Sequence, residues 1–390
     1  MSMQPPLTGV MVLSMAEQYP GPYATLLLAD LGADVILVER PGAGDPSRQF
    51  PAFHEALNRN KRSITLDLKS SEGREVFLKV AASADVILEG FRPGVVDRLG
   101  VGYDAVRERN PGIVFVSITG FGQDGPLRDR PAHDVSYQAM AGMLYERLTG
   151  DPGAAPSVAV GDLSSGMFAA VATLTGLVSR DRTGEGCAVD VSMTDGLMSW
   201  MTTYLFAAAN GFDEPGVPPR EPAYGLFRTS DGGVISLSVA HEDWFWRPLV
   251  AAMGLDELAD VTAAERRERY EELRRRIAEV MSSRPRDTWE KLLDNAGVPF
   301  GPVLDLDEVI DHPHTRERGL LVDVPGDGGR EARTHVRQPL QFRGVPSRLT
   351  RHVPSLGQDT AEVLRSAGLS DQEVDSLLER GIAGDREGPR

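Results

Sequence analysis

Only one cysteine, Cys187, occurs in the 390 residues. A lone thiol can close no internal disulfide and build no thiolate metal site, and it leads us to expect a reducing, cytoplasmic setting. No basic segment followed by a long apolar run opens the chain, so no signal peptide is expected. No apolar stretch in the sequence approaches the roughly 20 residues of a membrane span, and no membrane contact is expected. Lysine and arginine (41) are outnumbered by aspartate and glutamate (57), a net charge of −16. That balance argues against a general nucleic-acid binder, which needs a basic face to neutralise phosphates. His312 and His314 flank Pro313, but no carboxylate or cysteine spacing supports a metal site there, and none is expected. Internal repeats and low-complexity segments are absent from the sequence.

What is present is a globular composition, 41% hydrophobic and 25% charged, in a chain long enough for two domains. The first half alternates short apolar runs with helical patterns. Strands are expected at 10–14, 34–38, 63–68, 84–88 and 113–119, with helices at 23–31, 71–82 and 101–109. This alternation indicates right-handed βαβ units and a parallel sheet, hence a doubly wound α/β domain. Helices follow at 136–144, 165–179 and 194–209, with a strand at 188–193. A Gly/Pro-rich stretch, 211–224, reads as a linker. Beyond it come β-like 225–239, an aromatic-bearing helix 243–255, a charged helix 264–283 with a solvated face, and helices at 307–315 and 359–379. Residues from 383 onward look frayed.

The first βα turn, Ala16-Glu17-Gln18-Tyr19-Pro20-Gly21-Pro22, lacks the G-x-G-x-x-G of dinucleotide folds, and its prolines remove backbone donors that would cradle a pyrophosphate. Arg40, directly after the acidic end of the second strand, suits a phosphate partner, because guanidinium grips phosphate in a fork. More cations recur near strand ends: Asn58-Arg59-Asn60-Lys61-Arg62, Leu66-Asp67-Leu68-Lys69, and Gly90-Phe91-Arg92 with Arg98. Ligands of open α/β sheets bind outside the carboxyl ends of strands, so these residues outline a basic pocket for a phosphate-rich nucleotide such as coenzyme A. Two turns then present a histidine and a carboxylate: Ala132-His133-Asp134 with Tyr137, and Gly161-Asp162. Glycine beside Asp162 allows close approach of a substrate, and Asp162 also stands where a helix N-cap would. Glu242, following a strand of the second domain, is a further candidate. Met140, Met143, Met198, Trp200 and Met201 hint at an adaptable apolar acyl pocket.

Taken in order, Gly21-Pro22, Glu39-Arg40-Pro41, Asn60-Lys61-Arg62-Ser63, Leu66-Asp67-Leu68-Lys69, Phe91-Arg92-Pro93-Gly94, Gly120-Phe121-Gly122, His133-Asp134, Gly161-Asp162 and Asp190-Val191-Ser192-Met193 resemble the family III CoA-transferases. This is the group that contains formyl-CoA, carnitine and bile-acid CoA-transferases and the α-methylacyl-CoA racemases. The resemblance implies a large Rossmann-like domain (1–210), a smaller α/β domain (225–330), a C-terminal return to the large domain (331–390) and a homodimer of interlocked rings. It implies an acyl-CoA and a carboxylic acid as substrates and no permanently bound cofactor. CoA would be held by Arg40, Leu66, Asp67, Leu68, Lys69, Gly90, Phe91, Arg92, Arg98, Ala132, Asp134 and Tyr137. In a transferase Asp162 is the nucleophile that carries CoA as an aspartyl thioester. In a racemase, the alternative, His133 and Asp162 exchange the α-proton, with Glu242 orienting His133. The short turn after Asp162 is similar to the transferase form, whereas His133, Tyr137 and Glu242 are similar to the racemase pattern; the transferase is the preferred reading.

Overall fold

The computed structural model describes residues 4–144, 158–212, 220–326, 331–345, 349 and 351–384. Six short strands form one parallel sheet: β1 (Met11–Ser14), β2 (Asp34–Glu39), β3 (Arg62–Thr65), β4 (Val86–Glu89), β5 (Val114–Thr119) and β6 (Cys187–Ser192), in the order β3-β2-β1-β4-β5-β6. The order reverses direction between β1 and β4, which is the switch point where open α/β sheets bind ligands. Alternate residues of the central strands β1, β2, β4 and β5 enter two separate cores, while β3 contributes to one and β6 to the other. Leu13, Ile36, Ile64, Ile87 and Phe115 lie on one face with α3 (Ser71–Ala81). Val12, Val35, Val86, Val114 and Val191 lie on the other with α1 (Pro20–Asp30) and the long helix 160–183. Both faces being covered explains why the strands read as continuous apolar runs.

The remaining helices of this region are α2 (Pro51–Asn58), α4 (Val95–Leu99), α5 (Tyr103–Arg107), α6 (Asp134–Met140), α7 (Val160–Thr183), α8 (Met193–Trp200) and α9 (Thr202–Ala209). Helix α7 starts five residues before its sequence expectation and ends four after it. At 24 residues it is long and apolar enough, by length and composition alone, to cross a bilayer, which corrects the expectation that no stretch approaches a span. Its glycines and alanines read as a weak pattern in sequence but serve close packing on the sheet: Gly176 lies so near Val114 that a Cβ would meet Cγ1 at 2.5 Å.

The chain divides into two compact units, Met1–Leu205 with Gly319–Arg390, and Phe206–Arg318. The divisions fall at 205 and 318, where the sequence suggested 210 and 330; part of the expected linker, 213–219, lies outside the described residues, as do 327–330. The second unit holds an antiparallel sheet of β7 (Tyr224–Arg228), β8 (Val234–Ser238) and β9 (Phe300–Pro302) packed with helices. The charged segment 264–283 is two helices, Ala263–Glu268 and Tyr270–Met281, and is not merely a solvated face. Leu273, Ile277 and Met281 are buried, and so is Arg266, which pairs with Glu221 at 3.2 Å and Asp243 at 2.7 Å. In the first unit, the hairpin β10 (Leu321–Val324) and β11 (Arg333–Val336) follows the boundary. Residue 383 is not frayed: Ala383 is fully buried and bridges Leu66, while 385–390 fall outside the described residues.

Candidate active site

The β1–α1 turn must leave the sheet sharply at the switch point. Gln18 adopts the left-handed region at φ 66°, and its backbone N–H is held by both oxygens of Asp45 at 3.2 and 3.1 Å. Gly21 is required, since a Cβ there would meet that of Ala16 at 2.1 Å. The next strand ends supply the 90–93 and 118–121 segments. Together these line a cleft of 460 Å³ whose walls include Glu17, Tyr19, Phe91, Arg92, Tyr137 and Asp162. Gly90, Ala132 and His133 also face it, so seven of the residues singled out in sequence converge here.

Asp162 does not cap α7; it stands inside the first turn, third after the cap residue Ala159. The cap is supplied from another helix. Asp134 Oδ1 accepts from Gly161 N at 2.6 Å and Asp162 N at 3.3 Å, and Asp134 Oδ2 accepts from Gln138 Nε2 at 2.6 Å. The Asp134 carboxylate, expected on CoA, is therefore already engaged by the protein. Burial, reinforced by the Asp134 charge and partly relieved by His133, pushes Asp162 up to about 6. The Tyr19 hydroxyl is likewise raised, by burial first and then by the Asp162 charge. Helices α1 and α7 cross so closely here that a Cβ on Gly166 would lie 2.7 Å from Pro20 O.

Tyr137 is the most firmly placed of the sequence candidates. Its hydroxyl donates to Ala132 O at 2.9 Å, and its ring meets Phe121 edge-on at 5.3 Å. Gly120 makes room for it; a side chain there would strike the ring at 2.5 Å. His133 is exposed at the N-cap of α6. Phe91 N donates to Glu89 Oε2 at 2.8 Å, which turns the chain so that Phe91 and Arg92 reach the cleft. Glu89 is itself buried at the end of β4, and that burial lifts it to about 7 against the opposing hydrogen bonds of Ser117 and Phe91 N.

Other candidates lie outside the cleft lining. Arg40 is exposed, donates to Gly44 O at 3.0 Å, and comes within 3.9 Å of Glu17, which is on the cleft wall. Leu66 and Leu68 belong to the core on the α3 face, Asp67 Oδ1 accepts from Lys69 N at 3.0 Å, and Lys69 is exposed. Arg98 is exposed beside Gly94. Glu242 belongs to the other unit, precedes the helix Asp243–Ala252, and accepts from Ala240 N at 3.0 Å.

Two of the cations read as phosphate ligands are in fact interior. Arg59 pairs with Asp30 at 2.6 Å, and Lys61 donates to Pro22 O, Thr25 Oγ1 and Asn58 Oδ1 at 2.7 to 2.9 Å. With 1% and 2% exposure they hold α1 against α2, and neither lines the cleft. Their burial depresses Lys61 well below the usual ammonium range. In exchange, sequence reading overlooked Arg128 and Arg130, which line the cleft in the loop after β5. The rule applied to β2, β3 and β4, that cations after a strand end face the ligand, would have found them. The five residues of the proposed methionine pocket line neither this cleft nor its apolar neighbour; Met193 alone of that region lines the cleft.

Glu17 faces the same space, and burial, opposed by Arg40, brings it up to about 6. The cleft thus combines two basic carboxylates with Arg92, Arg128 and Arg130, on a protein that is acidic overall. It can bind an anionic ligand and present a carboxylate nucleophile beside it.

Comparison with known proteins follows the same line. The succinyl-CoA:mesaconate CoA-transferase of Haloarcula hispanica is 34% identical, across 93% of this chain and 96% of its own. The acetyl-CoA:oxalate CoA-transferase of Acetobacter aceti is 34% identical, across 82% of this chain and 86% of its own. A crystal structure of a CAIB/BAIF family protein from Brucella suis shares the fold at TM-score 0.81 and 30% identity, covering 94% of this chain and all of that one. Residues 7–360 match the profile of the family described as CoA-transferase family III, and to that family the chain belongs.

Proposed function

We propose that the protein moves CoA from an acyl-CoA thioester to a free carboxylic acid, with Asp162 as the covalent carrier. The observation that carries this reading is the half-buried Asp162 on the cleft wall, raised to about 6 and facing a space rimmed by arginines. A carboxylate of that basicity is still mostly ionised at neutral pH yet more nucleophilic than a solvated aspartate. One Asp162 oxygen attacks the thioester carbonyl and CoA leaves as the thiolate, giving a mixed anhydride. The thiolate then attacks the aspartyl carbonyl, releasing the first acid and leaving aspartyl-CoA. The acceptor carboxylate repeats the two steps in reverse order: it displaces the thiolate from aspartyl-CoA, and the thiolate takes the acyl group from the new anhydride. No net proton, water or redox equivalent is consumed. Arg92, Arg128 and Arg130 would hold the CoA phosphates or the carboxylates, with Tyr137 fixing the end of the loop that carries Arg128 and Arg130.

The curated relatives are named for transfer to oxalate and mesaconate, which supports transfer over α-proton exchange. The test is mass spectrometry of the thioester pool in heavy water, using an acyl-CoA with a panel of carboxylic acids. New acyl-CoA species are the expected result, and Asp162→Asn lowers their formation at least about a thousandfold, as removal of a covalent nucleophile does. Turnover retained in that variant, or deuterium gained by the donor with no new thioester, overturns the reading.

We further infer a homodimer. Met167, Val171 and Val178 lie exposed along α7, a spacing that puts them on one side of the helix and supports a partner surface. Light scattering is expected to give about twice the 42.3 kDa of one chain, and a monomer would rule the dimer out.

A further inference from the structure

Behind the cleft lies a second, larger cavity of 600 Å³, within the range of ligand pockets, and Tyr19 lines both. Its walls are mostly apolar, with Tyr23, Leu26 and Leu27 of α1, Leu57 of α2, Leu163 of α7 and Val336 of β11. Two consecutive residues of α7 divide between the two spaces, Asp162 to the cleft and Leu163 to the cavity. The residue common to both spaces is Tyr19, whose ring rests edge-on against Phe53 at 4.9 Å. On α2 the residues facing the cavity include Ala52 and Ala56, one helical turn apart, beside Glu55 and Leu57. Polar groups line it as well: Arg333 pairs with Glu55 at 3.2 Å, the buried Arg59 pairs through Nη2 with Asp30 and Val336 O, and His335, Arg337 and Gln338 are buried alongside.

We propose that this cavity is the tail pocket for the carboxylic acid that reacts at Asp162, and that the substrates are acids with a medium-length apolar chain. The proposal rests on the reading of Asp162 as the carrier. Both acyl groups must meet the same carboxylate in turn, so one tail pocket serves donor and acceptor. A chain that continues past Tyr19 leaves water for a wall whose surface is mostly apolar.

The experiment measures kcat/KM for unbranched acceptor acids from butyrate to octanoate, and for oxalate, with one acyl-CoA donor. Each methylene that enters the cavity raises kcat/KM about fourfold, so octanoate exceeds butyrate on the order of a hundredfold. In Ala56→Trp, where the indole occupies the pocket from an exposed helix position, that ratio falls at least tenfold; Ala52→Trp is the second variant should the first fail to fold. A flat series, a preference for oxalate, or a ratio untouched by both tryptophans overturns the tail pocket while leaving CoA transfer standing. Absence of transfer to every acid defeats the carrier reading itself.

Discussion

Glu39 and Glu89 occupy matching places in the sheet: each is the last residue of its strand, β2 and β4, and each is buried. Their proton affinities nonetheless move in opposite directions. Burial alone would raise Glu39, but the Arg48 guanidinium grips it through Nε and Nη2, both at 2.7 Å, and Ser63 Oγ donates at 2.5 Å. The result lies below the ordinary carboxylate range. Glu89 has no cationic partner among its named influences and is lifted to about 7. Asp162 and Glu17, both on the cleft, are raised as Glu89 is. Burial therefore does not fix the chemistry of a carboxylate: the close two-point grip of Arg48 lowers Glu39, whereas Arg40, 3.9 Å from Glu17, only partly offsets burial there. The β2 end of the sheet has its acid paired, whereas the β1–β4–β5 side keeps its acids basic and lines the cleft with Arg92, Arg128 and Arg130.

The largest effect should come from breaking the paired side. Arg48→Met leaves Glu39 buried without its counter-ion and should cost about 3–4 kcal/mol in urea unfolding at pH 7. A loss below about 1 kcal/mol would mean that the fork matters little. Next is the unpaired side. Glu89, raised from 4.5 to about 7, contributes stability that is complete below pH 4 and lost as pH rises through 7. By linkage that loss is about 3 kcal/mol between pH 5 and 8. Glu89→Gln removes that decline, and parallel stability curves for the two proteins would refute the shift. Third, Asp162 must be ionised to attack, so transfer should fall toward tenfold per pH unit below about 6. An acid limb near 4 would indicate an ordinary, solvated aspartate. The smallest effect is at Tyr137→Phe, which removes only the hydrogen bond to Ala132 O and should cost about 1 kcal/mol by thermal unfolding.

The same contrast explains what was legible in the sequence. The strands were, because a sheet covered on both faces writes long apolar runs, and Asp162, His133 and Tyr137 were, because glycine and proline turns flank them. Misread were charges whose partners lie far along the chain. Lys61 meets Pro22 and Thr25, and Arg59 meets Asp30 and Val336 O, at separations no local pattern reports. Asp134 was assigned to a ligand because its true partners, the amides of Gly161 and Asp162, are 27 and 28 residues away. The start of α7 was misplaced for the same reason: its cap comes from α6, so no Ser, Thr or Asp signals it locally.

That borrowed cap has a consequence for the chemistry. The open end of a helix is a small positive charge, and any acid seated on it becomes a weaker base and a weaker nucleophile. Helix α7 begins with Asp162, the proposed carrier, in the first turn, where the field of the exposed amides is strongest. By closing that end with Asp134, the fold satisfies the amides with one carboxylate and shields the other from them. One acid thereby keeps its neighbour basic.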